Sequence, residues 1–488
     1  MIRFVVMIVL TRQMFTQLSH EAYGFWTLLW AIYAYSLLFD FGLGICIQKK
    51  SSQVIVNKDW NSLTQLISTV FVIYWLISLL LITLTYFLSL FIFDWFTFTS
   101  TSHLEYRNAL LIFGIGSAII FPFGIFAEVL KGSHLIAIRN KIEAFREFIN
   151  ASMIIACLFW GGGLVYLAMI TITIQLLANF YMALKIKQHL PIPKLIDFSS
   201  VKFSLLRSHI NFSLSVYGIT IANLIIFRTD QIVISIFLSV SFVALYHVAN
   251  RLSEIFKLIF NQIQDLLAPI TSSLLENNNN DSVKNFLRQT QTNITLITLL
   301  FYFPLLILVE PLLNIWLDIN DSRTFLIAKI LLSNMAIQVI FRNTISQVLM
   351  MAGKHALIMR ICVVEAFLNL LLSILLIDRL GIIGVALGTI IPNILLSLSL
   401  IMFLYKDYVK VSLLQIYKTF FYPIIITVII YVAGIMVLRL CEFNTQSLLI
   451  SSLHAVFQFM VCVIIFYLFL ISDETKKMLL KQQSISIN

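Results

Sequence analysis

The chain has 488 residues, 60% of them hydrophobic and only 11% charged, with a mean hydropathy of +0.96. A soluble protein carries about 25% charged residues, so a fully water-facing surface is excluded, and the lack of strand-period alternation excludes a barrel of the outer-membrane kind. The net charge of +10 is scattered over many loops and forms no single basic stripe, so no nucleic-acid partner is expected.

Apolar runs of about 20 residues recur along the chain, the length a helix needs to cross about 30 Å of hydrocarbon. The first segment, MIRFVVMIVLTRQMF, is apolar but short for a full span. It has no small-residue cleavage site and reads as a clipped first helix, not a secretory signal. Complete helices are then predicted in chain order at 24–46, 63–93, 107–130, 142–160, 163–184, 210–237, 242–270, 292–309, 324–351, 356–377, 381–405, 416–438 and 448–471. The fold class is an all-α polytopic membrane protein of about 14 transmembrane helices, the first one short.

Every second loop is basic. One set carries Lys49, Lys50 and Lys58, then Lys131, Arg139 and Lys141, then Lys185, Lys187 and Lys194, and continues to the tail with Lys476, Lys477 and Lys481. The opposite set holds only Arg12, Arg107, Arg323, Arg379 and Arg439, with acids alongside. The lysine-rich side reads as cytoplasmic, with both termini inside. No phosphate loop, HExxH or nucleotide fingerprint is present, and the five cysteines show neither metal spacing nor CxxC. No catalytic residue, metal or cofactor is expected, and the short external loops argue against a membrane enzyme.

The chain repeats itself about 220 residues downstream. GSHLIAIRNKIEAF at 132–145 returns as GKHALIMRICVVEAF at 353–367, and LSHEAYGFW at 18–26 meets LSVSFVALY at 238–246, pairing Gly24 with Ala244. Gly162 falls on Gly384. A shift of six helices keeps both copies in one orientation, so these read as parallel repeats about an axis along the membrane normal. The implied organisation is an N-terminal six-helix lobe at 1–200, a second at 201–410, and two extra helices with a cytoplasmic tail at 411–488. Two such lobes make the machinery of a transporter that rocks about a central cleft.

Charges within spans cost about 2.5–3.5 kcal/mol each on insertion scales and need a cavity or a partner. On the helix at 242–270, His247, Arg251, Glu254, Asn261 and Asp265 share one face, with Lys257 at its edge. That face either lines a watery cavity or is neutralised within the helix, Arg251 pairing with Glu254 or Asp265. On the preceding helix Arg228 and Asp230 are two residues apart and point to different sides, so each needs its own partner. Asp40, Glu128, Lys329 and Arg342 complete the intramembrane set. Glu143 and Glu365 are repeat mates that fit an interfacial role, and Asn369 and Asn393 fit either sugar binding or interhelical hydrogen bonds.

SHEAYGFWTLLWAIYAYSLLFDFGLGICIQKK and RTDQIVISIFLSVSFVALYHVANRLSEIF resemble the helix 1–2 and 7–8 signatures of the polysaccharide-biosynthesis flippases, the O-antigen-unit (Wzx-type) branch of the MATE-like MOP exporter superfamily. EPLLNIWL and VEAFLNLLLSILLIDRLGIIGVALGT resemble the same family's later helices, so the likeness covers nearly the whole chain. The family normally has a fuller first helix, a departure here. The resemblance implies a cargo of undecaprenyl-diphosphate-linked oligosaccharide, moved across the bacterial inner membrane. It also implies membrane lipids, a polysaccharide polymerase and a chain-length regulator as partners.

Arginine offers a diphosphate a planar, permanently charged fork. Arg251, Arg228, Lys257 and Arg342, with His247 and Asn261, are therefore the candidate substrate-binding residues. Glu254, Asp230, Asp40 and Glu128 are the candidate ion-coupling residues, and Asp230 matches the acidic residue the superfamily uses in this phrase. A negative interior pushes two charges outward by roughly 4–5 kcal/mol per 100 mV. The alternatives are a multidrug or cation antiporter of the same architecture, whose cavity would be acidic, and a lipid II flippase, which differs in its sugar.

Overall fold

The computed structural model describes residues 2–99, 102–192, 194–202, 210–265, 280–408, 412–440 and 448–467. Every regular element among them is a helix: α1 (Ile2–Gln17), α2 (His20–Ala34), α3 (Leu43–Asn57), α4 (Trp60–Trp95), α5 (His103–Ile120), α6 (Ile125–Gly132), α7 (Ile136–Phe159), α8 (Leu164–His189), α9 (Ile210–Phe237), α10 (Val240–Asp265), α11 (Asn280–Leu317), α12 (Ser322–Gln338), α13 (Thr344–Met351), α14 (His355–Leu380), α15 (Ile382–Ile401), α16 (Leu413–Ile416), α17 (Tyr422–Leu440) and α18 (Leu448–Ile465). Some of these join end to end, α5 to α6 through a 3₁₀ turn and α12 to α13 through a π turn.

Eleven helical stretches among the described residues are long and apolar enough to cross a membrane. Helix α1 is apolar but shorter. Helices α7 and α10 are long enough but carry clustered charge, Arg139, Lys141, Glu143, Arg146 and Glu147 on the first and Arg251, Glu254 and Lys257 on the second. Together these account for the fourteen helices expected from the apolar runs. The outer surface is apolar, with Trp160 at 89% and Leu449 at 71% exposure. Such a surface is stable against lipid and not against water, so this is a multi-pass membrane protein. The expected helix ends at 270 and 471, and the lysines of the tail, lie outside the described residues.

Helix ends fall where side chains satisfy the free backbone groups. Asp59 caps α4 by accepting the Ser62 N–H at 3.2 Å, and the Ser62 hydroxyl and N–H hold the Asp59 carboxyl below its ordinary range. Asp321 caps α12 by accepting from Arg323 at 3.3 Å and Thr324 at 3.0 Å.

One predicted element is corrected. The run at 24–46 is not a single helix. Helix α2 tightens into a 3₁₀ turn at Tyr35–Phe39, and the chain turns left-handed at Phe41 (φ 50°) and Gly42 (φ 76°) before α3 begins. Asp40 stabilises the break by accepting the Gly44 N–H at 3.2 Å, offering the backbone a partner outside the helical ladder. Glycine adopts the turn's conformation readily, whereas Phe41 holds it under strain.

The chain divides into two compact units, Met1–Val248 with Cys362–Val385, and Ala249–Ile361 with Ala386–Asn488. In the first unit the core fills the space around α3, α4, α6 and α8 with Ile47, Ile67, Val70, Val129, Leu130 and Met182. Helices α2 and α10 cross closely there. A Cβ on Gly24 would overlap the Val240 carbonyl and sit 3.2 Å from the Ala244 nitrogen. The two small residues paired by the sequence repeat thus meet at one crossing, where close backbone approach needs small side chains.

In the second unit α11 packs along α18 and α12. Asn393 on α15 donates to the Asn334 carbonyl at 3.0 Å and to its side-chain oxygen at 2.8 Å. The interhelical reading of Asn393 therefore holds. Lys329 and Glu310 form an ion pair at 2.5 Å.

Gly24→Val forces α2 and α10 apart and should destabilise the protein by about 1–3 kcal/mol, the usual cost of overpacking. Gly124→Ala, with nothing within 4 Å of its added methyl, should change stability little. Thermal melting of the detergent-solubilised protein checks both.

Candidate functional site

The break after α2 has a structural consequence. It leaves Asp40 facing a cavity of about 670 Å³ inside the first unit. Tyr74 of α4 donates its hydroxyl to Asp40 Oδ1, beside the Gly44 N–H. Gly44 lets α3 come close, since a Cβ there would lie 3.3 Å from Glu128 Cγ and 3.4 Å from Asp40 Oδ1. Two carboxylates are thereby gathered at one end of α3. Glu128 is paired with Lys131 one helical turn on, at 2.7 Å.

The facing wall is polar as well. On α7, Glu143 pairs with Arg146 at 2.8 Å, and Arg146 donates to Gln175 of α8. Gln175 in turn donates to Asn179 at 3.4 Å. The buried Thr171 hydroxyl and Asn179 amide nitrogen have no hydrogen-bond partner among the described residues. Both residues border the cavity, with these two atoms themselves buried. Trp30, Phe113 and Phe121 supply an aromatic side.

Arg228 of α9 also lines the cavity, half-buried, and has no ion-pair partner among the described residues. Near it Tyr35 shares a 2.5 Å hydrogen bond with Thr229, and Tyr217 donates to the Leu38 carbonyl at the end of the 3₁₀ turn. Lys131 and Arg146 are held by carboxylates, so Arg228 is the basic group on this wall left to meet a ligand.

Of the ten residues singled out in the sequence, this cavity collects Asp40, Glu128 and Arg228. Asp230 is buried and accepts the Tyr246 hydroxyl at 2.5 Å, and His247 shares a 2.9 Å hydrogen bond with Tyr23. Arg228 lines the cavity while Asp230 meets Tyr246, and both lie near Tyr35. On α10, Arg251 donates to Glu254 at 2.5 Å, the intrahelical pair the sequence left open. Lys257 and Asn261 follow on the same face, half-buried, while the aromatic rings of Phe256 and Phe260 are buried. The Asp265 side chain lies outside the described residues. Arg342 is buried within the π turn Val339–Asn343, to which Gln291 donates at the Ile340 carbonyl. Such turns are frequent at functional sites.

The α7–α8 wall was missed in the sequence. Thr171, Gln175 and Asn179 recur every four residues on α8 and so share one face. That polar spacing in an apolar helix was the available signal.

A family model described as "Polysaccharide biosynthesis protein" matches residues 16–318. The fold is similar to that of the lipid II flippase MurJ in an inward closed conformation, with a TM-score of 0.71 and 18% identity over 96% of this chain and 98% of that one. It is also similar to an inward-facing multidrug resistance MATE family transporter of the MOP superfamily, with a TM-score of 0.65 and 13% identity over 80% and 92%. A MOP superfamily transporter from Pyrococcus furiosus, with a binding pocket of reversed polarity, aligns with a TM-score of 0.51 and 12% identity over 82% and 93%. At these identities the likeness establishes the fold. No curated protein matches the sequence significantly.

The Glu143–Arg146 pair is mostly buried, with side chains 12% and 22% exposed. Glu143→Ala should leave Arg146 short of a partner and lower stability more than the Glu143→Ala/Arg146→Leu double variant does. A double-mutant cycle by thermal melting should give a coupling of about 0.5–3 kcal/mol.

Proposed function

The chain belongs to the polysaccharide biosynthesis protein family, and we propose that it is a flippase for an undecaprenyl-diphosphate-linked oligosaccharide. In this reading it moves an O-antigen or similar surface-polysaccharide unit from the inner to the outer leaflet of the bacterial inner membrane. Both termini are cytoplasmic, and the two repeats of like orientation, 1–200 and 201–410, rock to alternate access. The delivered unit passes to a polysaccharide polymerase and its chain-length regulator.

One observation carries the anionic cargo. Arg228 lines a polar membrane cavity and forms no ion pair among the described residues. A guanidinium stays charged and is costly within a membrane unless something negative or watery meets it. A diphosphate meets that need with oxygens in the fork geometry arginine prefers. Gln175 and the aromatic rings that line the cavity give sugars hydrogen-bonding and stacking partners.

The paired carboxylates suit the second task, coupling to a cation. Asp40 and Glu128 flank Gly44, and a proton or sodium ion taken up there offsets their mutual repulsion. Asp230, which accepts the Tyr246 hydroxyl, is a further ion-coupling candidate, and His247, bonded to Tyr23, a further cargo contact. Within the second unit, Arg251, Lys257, Asn261 and Arg342 are separate candidates for phosphate or sugar binding, Arg251 being paired with Glu254, itself a further ion-coupling candidate.

Deleting the gene should cause a cytoplasmic-face, lipid-linked surface-polysaccharide intermediate to accumulate, identified by mass spectrometry of extracted lipids. Accumulation of lipid II would instead assign the chain to peptidoglycan synthesis. In complementation, Arg228→Ala should cut export by about ten- to a hundredfold, the loss of a hydrogen bond to charge, and Arg228→Lys should restore part of it. Asp40→Asn should reduce turnover while cargo binding persists. Full export by the Arg228→Ala variant would remove this cavity from the cargo path.

A further inference from the structure

A second concavity lies on the far side of the α7–α8 wall, a groove of about 710 Å³. Its floor is apolar. Phe145 and Ile149 of α7 face Ile174, Leu177 and Tyr181 of α8. Phe145 is 65% exposed and Leu177 62%, so the floor is open to the surroundings. Because α7 and α8 run antiparallel, the start of one lies beside the end of the other. That end of the groove carries Lys141, Lys185 and His189.

None of these basic groups is neutralised. Lys141 has no hydrogen-bond or ion-pair partner among the described residues. Lys185 donates to the neutral Gln188 at 2.9 Å and sits 5.2 Å from the centre of the Tyr181 ring. His189 contacts the Lys185 carbonyl at 3.0 Å. The nearby carboxylates of α7, Glu143 and Glu147, are held by Arg146 at 2.8 and 3.4 Å.

A ligand that fits must be a chain at one end and an anion at the other. We propose that this groove binds an anionic phospholipid, its phosphate on Lys141 and Lys185 and one acyl chain along Phe145, Ile149, Ile174 and Leu177. The two turns of α7 from Lys141 to Ile149 span about 12 Å at the helical rise, room for the upper part of a chain. The headgroup stays at the level of the lysines, where a basic side chain gains about 1 kcal/mol from anionic lipid. A zwitterionic headgroup presents its own cation to the same lysines and is disfavoured. This site lies outside the transport cavity, and the proposal stands apart from the identity of the transported cargo.

Binding is measured on the purified full-length protein by native mass spectrometry, with dioctanoyl phosphatidylglycerol as the probe. Lys141→Gln/Lys185→Gln should weaken binding roughly 30-fold, two lysine contributions converted to affinity. Leu177→Trp, at an exposed position on the floor, should weaken it by filling the groove. Lys187→Gln removes an exposed lysine of α8 that does not line the groove, and should leave binding unchanged. Dioctanoyl phosphatidylcholine should bind at least about tenfold more weakly. Three results would each overturn the proposal: unchanged binding in the double lysine variant, equal binding of the zwitterionic lipid, or full competition by glycerol 3-phosphate, which has a phosphate and no chain.

Discussion

Hydrocarbon gives a polar group nothing to bond to, and the placement of charge in this protein follows from that constraint. The described helices show a mostly apolar outer surface, while the intramembrane charges turn inward or find partners within a few residues. Glu128 takes Lys131, Glu143 takes Arg146, Arg251 takes Glu254, and Lys329 takes Glu310. Three of these pairs are one helical turn apart, so most of the neutralisation is local and precedes tertiary packing.

Against that background the broken helix after α2 gains its meaning. A membrane helix is interrupted only where something else satisfies its backbone. Here the Asp40 carboxylate accepts the Gly44 N–H and the Tyr74 hydroxyl, and the left-handed turn at Phe41 and Gly42 redirects the chain into α3. The same turn brings Asp40 and Glu128 to the two sides of Gly44. A continuous helix from 24 to 46 would carry Asp40 on a regular face and could not assemble this corner.

The helix inventory was legible in the sequence because apolar length and period are local properties. The Gly24–Ala244 match was legible too, as a repeat, though the sequence alone did not say that the two residues touch. The break at Asp40 was not, since FDFGLG sits inside an apolar run and only the Tyr74 hydroxyl from another helix makes the turn worthwhile. The cavity was read in part. Spacing found Arg228, Asp40 and Glu128 as charges in need of an environment, but could not foresee that Asp230 and His247 meet tyrosine hydroxyls brought by the fold. The polar row Thr171, Gln175 and Asn179 was present in plain spacing but carries no charge, and an uncharged row attracts less notice than a single arginine.

Arg146 touches both sides of the α7–α8 partition. It borders the groove, while Glu143 and Gln175, which it holds, line the cavity. Its five N–H donors are fixed in one plane. Its two terminal nitrogens hold Glu143, Glu147 and Gln175, while its buried Nε has no hydrogen-bond partner among the described residues. One guanidinium thus ties the lining of the groove to two residues that line the cavity, Glu143 and Gln175.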